Sequence, residues 1–169
     1  METRDAITAR RNVREYTGDP IPGEHLDRIL EAGRRAPSSR NTQPWDFVVV
    51  TDRDRLVELA KVWQGAGHVA GSAATIALIG PVHEAGGERV QYDLGQATAN
   101  IMLAATDLGI GSGHSAVRDQ VLAQELLGFP DDRACLYLIA LGYPAGRPLR
   151  PIRKPDRRAF DDVVHRERW

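Results

Sequence analysis

Ala36-Pro37-Ser38-Ser39-Arg40-Asn41-Thr42-Gln43-Pro44-Trp45, running directly into Asp46-Phe47-Val48-Val49-Val50, joins a polar loop to an apolar strand. Pro37 and Pro44 fix φ near its two ends, and hydroxyl and amide side chains crowd the segment between them. The loop is therefore stiff, and it carries more donors and acceptors than its own backbone can use. Two readings fit: a helix-to-strand connector in which Ser38, Ser39 and Asn41 cap neighbouring backbone groups, or a loop that holds a ligand. The uninterrupted apolar centre after Asp46 predicts a strand over 46–51 covered on both faces.

Upstream of this stretch, Leu26, Ile29, Leu30 and Gly33 mark one face of a helix over 24–35, which must stop before Pro37. Thr3 is placed to cap an earlier helix over 4–11, with Ala6 and Ile7 on its apolar face. Arg10-Arg11-Asn12-Val13-Arg14 follows. Three guanidiniums within five residues repel one another unless an anion or carboxylates collect them. Their planar forks suit phosphate, and a solvated basic helix end is the plainer alternative.

Downstream, Asp52 is an N-cap for a helix carrying Leu56, Leu59, Ala60 and Trp63 at i, i+3, i+4 and i+7. Residues 73–79 read as a second buried strand closed by Gly80-Pro81, and 83–87 as a short polar link. The longest helix spans 89–108, with Leu94, Ala97, Ile101 and Leu108 on one side. Its small residues Gly95, Ala97, Ala99, Ala104 and Ala105 admit close approach of another helix, in a core or at a subunit interface. Gly109-Ile110-Gly111-Ser112-Gly113-His114 has Gly-x-Gly-x-Gly spacing. It follows a helix, however, whereas a dinucleotide fingerprint follows a strand, so that reading is excluded. Ser115 is expected to cap a helix containing Val117, Val121, Leu122 and Leu126 that ends at Gly128, before a buried strand over 134–141. The tail from Gly142-Tyr143-Pro144 is rich in proline and arginine, and Leu149, Ile152, Phe160, Val163, Val164 and Trp169 would anchor it as it wraps.

The 169 residues suit one domain, 1–169, and a formal net charge of -1 offers no bulk attraction for nucleic acid or an anionic membrane. No apolar stretch has membrane-spanning length, and the N-terminus has no leader-like apolar region, which points to a cytoplasmic protein. Cys135 is the single cysteine, expected as a buried thiol, and the five histidines are scattered singly, so no metal site is expected. Phosphate-loop and serine-nucleophile motifs are missing.

Several segments together resemble the nitroreductase family of FMN-dependent flavoenzymes. Pro37 to Trp45 is similar, position for position, to that family's Pro-Ser-small-x-Asn-x-Gln-Pro-Trp loop. Arg10 to Arg14 resembles its Arg-Arg-Ser-x-Arg motif, with Asn12 in place of serine. Gly109 to Ser112 resembles a Gly-Leu-Gly-Ser segment, although Gly113-His114 replaces the commoner Cys-Trp. Gly142-Tyr143-Pro144 and residues 157–164 resemble the C-terminal extension, with Ala159 where proline is usual.

The resemblance implies an α+β fold of three layers, α/β/α, with a central mainly antiparallel sheet, and a homodimer whose C-terminal arm crosses to the partner. It also implies FMN at the subunit interface. Arg10, Arg11, Asn12 and Arg14 would hold the phosphate and ribityl chain; Pro37, Ser38, Ser39 and Asn41 would come from the other subunit. Gly111, Ser112 and Gly113 would pass beside the ring, and Arg157, Arg158 or Lys154 would add a basic contact to the phosphate. Electrons would pass from NAD(P)H to a nitroaromatic, quinone or similar electron-poor acceptor in a ping-pong sequence, with no obligatory side-chain acid or base. Family members that dehalogenate, fragment flavin or serve deazaflavin biosynthesis remain alternatives, as does a flavin-binding protein without turnover. His114 could face the substrate pocket or solvent. With only 81–88 between the second strand and the long helix, the flavin ring is expected to be open to varied acceptors.

Overall fold

The computed structural model describes residues 1–82 and 87–169. Strands β1 (Asp46–Val50), β2 (Ala74–Pro81), β3 (Gly111–Ala116) and β4 (Arg133–Gly142) form a sheet in the order β1-β2-β4-β3, with every neighbouring pair antiparallel. Among the described residues, five α-helices flank it: α1 (Thr3–Ala9), α2 (Gly23–Arg34), α3 (Arg53–Leu59), α4 (Gly87–Asp107) and α5 (Gln120–Leu127). The expected link over 83–87 falls largely outside the described residues.

The pleat of the two central strands creates the three layers. Along β2, Ala74, Ile76 and Leu78 face one way and pack with Ile29 of α2 and with Leu94, Ala97 and Ile101 of α4. Ala77 and Ile79 face the other way, packing with Leu56 and Leu59 of α3, Ala123 of α5, and Leu138 and Cys135 of β4. Burial pushes the Cys135 thiol up to about 12, so it stays protonated and apolar in character. No helix among the described residues is long and apolar enough to cross a membrane.

Several local expectations are corrected by this framework. β1 lies at a sheet edge, and Phe47 and Val48 are only half-buried while Val49 is exposed, so it is not covered on both faces within the chain. Phe47 packs on the α4 layer and Val48 and Val50 on the α3 layer, so each face is covered only in part. Thr3 opens α1 rather than capping it; Glu2 occupies the cap position without a side-chain bond, and Ile7 is 58% exposed while Ala6 and Ala9 are buried. Ser115 lies within β3, and the α5 cap is Asp119, whose carboxylate accepts from the Leu122 amide; Val117 precedes that helix and Val121 is exposed. Asp52 does cap α3, and Gly128 ends α5 in the left-handed conformation at φ 72°. The tail follows its own N-terminal segment as far as Ile152, whose amide donates to the Thr8 carbonyl, but Phe160 is 66% exposed and Trp169 98%. Those late anchors join neither core cluster of this chain.

A bulge shapes β4. Leu78 pairs with Tyr137 and Ile79 with Cys135, so Leu136 is the extra residue, and Leu136 and Tyr137 both pack on the α4 layer. β3 ends opposite Tyr137, which leaves the outer edge of β4 unpaired at Cys135. The Gln120 side chain fills that position as a surrogate strand: its Nε2 donates to the Cys135 carbonyl at 2.8 Å and its Oε1 accepts from the Cys135 amide at 3.0 Å. Gln120→Ala orphans two backbone groups in the interior, and the expected loss is about 2–4 kcal/mol of unfolding free energy by urea titration. A loss below about 0.5 kcal/mol would show that water replaces the amide at no cost.

Candidate flavin site

Beyond α1 the backbone extends and runs along the free edge of β3. Asn12 forms a parallel bridge with Ser112, and the Val13 amide donates to the Ser112 carbonyl at 2.9 Å. Glycine is required for this approach. A Cβ on Gly113 would lie 2.4 Å from the Val13 carbonyl oxygen, and one on Gly111 would lie 2.7 Å from the Val13 side chain. The Tyr16 hydroxyl donates to the same Val13 carbonyl at 2.7 Å, and burial raises the phenol's pKa, so it remains a donor.

This pairing brings Arg11, Asn12 and Arg14 together in a cleft of 210 Å³, closed on the far side by Pro144, Gly146 and Arg147, with Glu15 as the carboxylate in its lining. Arg11 donates to the Arg147 carbonyl, and burial followed by the Arg147 charge lowers its pKa. Arg10, half-buried, lies just outside the lining. The donor set, mostly guanidinium beside a glycine-faced strand, fits a phosphate and the polyol next to it. Below the strand, the His68 Nε2–H donates to the Gly113 carbonyl at 3.2 Å. Ser112 is 1% exposed; its register with Leu141 turns its hydroxyl toward the α4 layer, where it has no partner among the described residues. His114 is exposed on β3.

The loop before β1 forms a second place. Arg40, Asn41 and Gln43 have φ of 54°, 58° and 49°, a left-handed conformation that costs non-glycine residues about 1–2 kcal/mol each. Backbone and buried groups hold it there. Ser38 Oγ accepts from the Gln43 amide at 2.9 Å, and the Ser38 carbonyl accepts from the Asn41 amide at 3.0 Å. Asp93 of α4, only 2% exposed, accepts the Ser39 amide at 3.0 Å through Oδ2. Thus Ser38 does cap its neighbour, whereas the side chains of Ser39 and Asn41 make no hydrogen bond among the described residues. A 480 Å³ cavity opens here, between Pro37, Ser38 and Ser39 and the α4 residues Tyr92, Asp93 and Gln96.

The two places do not meet within one chain. β1 and β3 are three strand spacings apart in the sheet, roughly 14 Å. Ser112 registers through Leu141 with Ala74, next to the partner of Val50, so it lies level with the end of β1, while the loop enters at Asp46, roughly 13 Å back along the strand. The diagonal is about 20 Å. Arg157 and Arg158 reach neither place; both are exposed and donate to the nearby carbonyls of Asp156 and Asp162.

Three contributors were not singled out from sequence. Asp93 had a signal, since it lies on the buried stripe of α4 with Val90 and Ala97. Arg147 was one basic residue among several in the tail. His68 sits in a 3-10 segment with no periodicity to place it.

The family model for the nitroreductase family matches residues 7–78 and 63–143 of this chain. A protein of Archaeoglobus fulgidus, provisionally named an NADH dehydrogenase/NAD(P)H nitroreductase, is 33% identical over 172 residues, covering 96% of this chain and 96% of that protein. The solved structure of a Clostridium acetobutylicum protein, provisionally named an NADH oxidase, matches with a TM-score of 0.87 and 25% identity, covering 98% of this chain and 100% of that one. The NADPH:FMN oxidoreductase of Vibrio harveyi, solved with NAD+, matches with a TM-score of 0.82 and 28% identity over 97% of this chain and 76% of that one.

The packing around His68 has a pH consequence. Burial is the main cause lowering its pKa, and the charges of Arg14 and His114 act in the same direction against the hydrogen bonds to the Gly113 and Gly65 carbonyls. The unfolded chain takes up a proton near pH 6.5 while the folded chain resists it, so stability is full above that pH and falls as pH drops toward the folded-state value. His68→Gln is expected to flatten this decline, read from urea midpoints in steps downward from pH 7. Parallel curves for the two proteins would mean that His68 titrates alike in both states.

Proposed function

This chain belongs to the nitroreductase family, and on that premise we propose that it acts as an FMN-dependent NAD(P)H oxidoreductase whose flavin site is completed by two copies of the chain. The observation that carries the reading is the bridge between Asn12 and Ser112, because it fixes the segment bearing Arg11 and Arg14 against the edge of β3, where Gly111 and Gly113 leave room for Val13. FMN held there would supply the redox chemistry that links oxidation of a reduced nicotinamide to reduction of an acceptor.

The protein's own residues bind and orient. Arg11 and Arg14 neutralise the phosphate and Asn12 hydrogen-bonds beside it, while Arg10 adds positive charge just outside the cleft. At 210 Å³ the cleft is smaller than the roughly 300–1,000 Å³ of complete small-molecule sites, so it takes one end of the cofactor. The other wall is assigned to Pro37, Ser38, Ser39 and Asn41 of a second copy, of which Ser39 and Asn41 keep unspent side chains that suit ligand contact.

Surface chemistry supports a homodimer. Tyr92, Gly95 and Ala99 form an exposed stripe on α4, and Val49, Phe160, Val163 and Trp169 leave further apolar surface for a partner to cover. The arm would then place Arg157 or Arg158 toward the partner's cleft. The proposed acceptors are nitroaromatics and quinones, admitted in turn with the reductant through one face of the site. The purified protein should carry FMN and oxidise NADH or NADPH with a quinone; turnover confined to a dehalogenation or flavin-fragmenting reaction would favour the other family activities.

The composite arrangement gives a counting test. Arg14→Ala and Asn41→Ala homodimers are each expected to bind FMN about 10- to 100-fold more weakly, from the loss of hydrogen bonds to a charged group. In the mixed dimer both lesions fall in one site, so about half the wild-type flavin content should return, measured on differently tagged, co-expressed subunits. No recovery above the parents would place Arg14 and Asn41 in the same chain's site.

A further inference from the structure

Arg11 and Arg147 wall a second cleft on the side away from Asn12 and Arg14. It has a volume of 310 Å³, and Arg150 and Arg153 complete it between Pro148 and Pro151. We propose that this four-arginine cleft is a second phosphate site, taking a phosphate group of the reduced dinucleotide while the neighbouring cleft holds that of the flavin. The identity of its ligand rests on the oxidoreductase reading above.

The cleft is built rather than merely basic. The Ala145 amide donates to the Glu15 carbonyl at 3.1 Å and the Ile152 amide to the Thr8 carbonyl at 3.0 Å, so the arginine-bearing turn is tied down at both ends. Pro148 and Pro151 stiffen it between those ties, which lowers the entropy lost when a ligand is gripped. Arg11 is half-buried at the shared wall, and its bond to the Arg147 carbonyl fixes its own guanidinium against the arginine-bearing turn. Among the described residues, none of the four arginines has a carboxylate within ion-pair distance; the chain's ion pairs lie elsewhere. Like charges gathered in a rigid concave turn without a counter-charge are what a dianion relieves.

Size and context narrow the ligand. A net charge of -1 gives no bulk attraction for a polymeric anion, and the volume matches the lower range of small-ligand sites, about 300–1,000 Å³. Because the two clefts share Arg11 and Arg147, a dinucleotide whose nicotinamide lies on the flavin ring and whose chain runs alongside the flavin's can set a phosphate in the second. A dinucleotide offers two such groups: a 2′-phosphate, present only in NADPH, and the diphosphate bridge, present in both reductants.

The test is calorimetric titration of FMN-loaded protein with 2′-AMP, ADP and adenosine, for the wild type and for the Arg150→Gln/Arg153→Gln double variant. One of the phosphorylated probes should bind at least tenfold more tightly than adenosine, and the double variant should lose at least tenfold of that affinity. Preference for 2′-AMP assigns the site to the 2′-phosphate, and the variant then raises KM for NADPH alone. Preference for ADP assigns it to the diphosphate, and KM rises for NADH and NADPH together. Binding of both probes no tighter than adenosine, or equally tight to wild type and variant, overturns the proposal. Protein that oxidises neither reductant would instead sink the oxidoreductase reading, while the titration still decides the phosphate site.

Discussion

The contact between the Val13 amide and the Ser112 carbonyl is the constraint on which the site depends. It joins the N-terminal segment to the sheet edge at backbone distance, and it exists only because positions 111 and 113 present no side chain to Val13. From this one pairing the rest follows locally. Arg11 and Arg14 are carried to the same cleft, Tyr16 is drawn over the Val13 carbonyl, and the tail is received alongside, where the Thr17 amide meets the Tyr143 carbonyl. A side chain at Gly113 would push away the whole basic segment, not a single contact.

The sheet acts as a spacer between this assembly and the loop at the start of β1. α4 spans both: Asp93, near its beginning, grips the Ser39 amide, and its end turns through Gly109 into β3. Asp93 and Asp107 are fourteen residues apart, roughly 21 Å of helix, which matches the separation estimated across the sheet. A rigid element of that length fixes the two places relative to each other within the chain.

The central strands and main helices were legible because their apolar residues repeat at the expected periods, with Asp52 and Gly128 marking ends by well-defined chemistry. The polar loop was legible as a special segment through its two prolines and clustered hydroxyls. β3 was not, because Gly111-Ser112-Gly113-His114-Ser115 lacks the β-branched and aromatic residues that mark strands; it is a strand by tertiary pairing with β4 and Val13. For the same reason the cap was misplaced to Ser115. β1 misled in the opposite sense: its run of valines reads as fully covered, yet its edge position leaves Val49 exposed and Phe47 and Val48 only half-buried. Arg147 could not be distinguished from the tail's other arginines until the fold laid that turn against Arg11.

Both places share a division of labour between backbone and side chain. The loop's shape is held by amides, by the Ser38 hydroxyl and by the carboxylate of Asp93, while Ser39 and Asn41 keep their side chains unspent. Three left-handed residues would cost about 3–6 kcal/mol together, and burial of Pro44 and Trp45 against the core, at about 1.5–3 kcal/mol for a large apolar side chain, offsets much of that. The strain therefore sits next to the anchor that sustains it. At the other corner the Val13 pairing does the same for Arg11 and Arg14. Preorganisation is achieved there mainly by main-chain bonds; Arg11 gives one N–H to the Arg147 carbonyl and keeps its remaining donors for an anion.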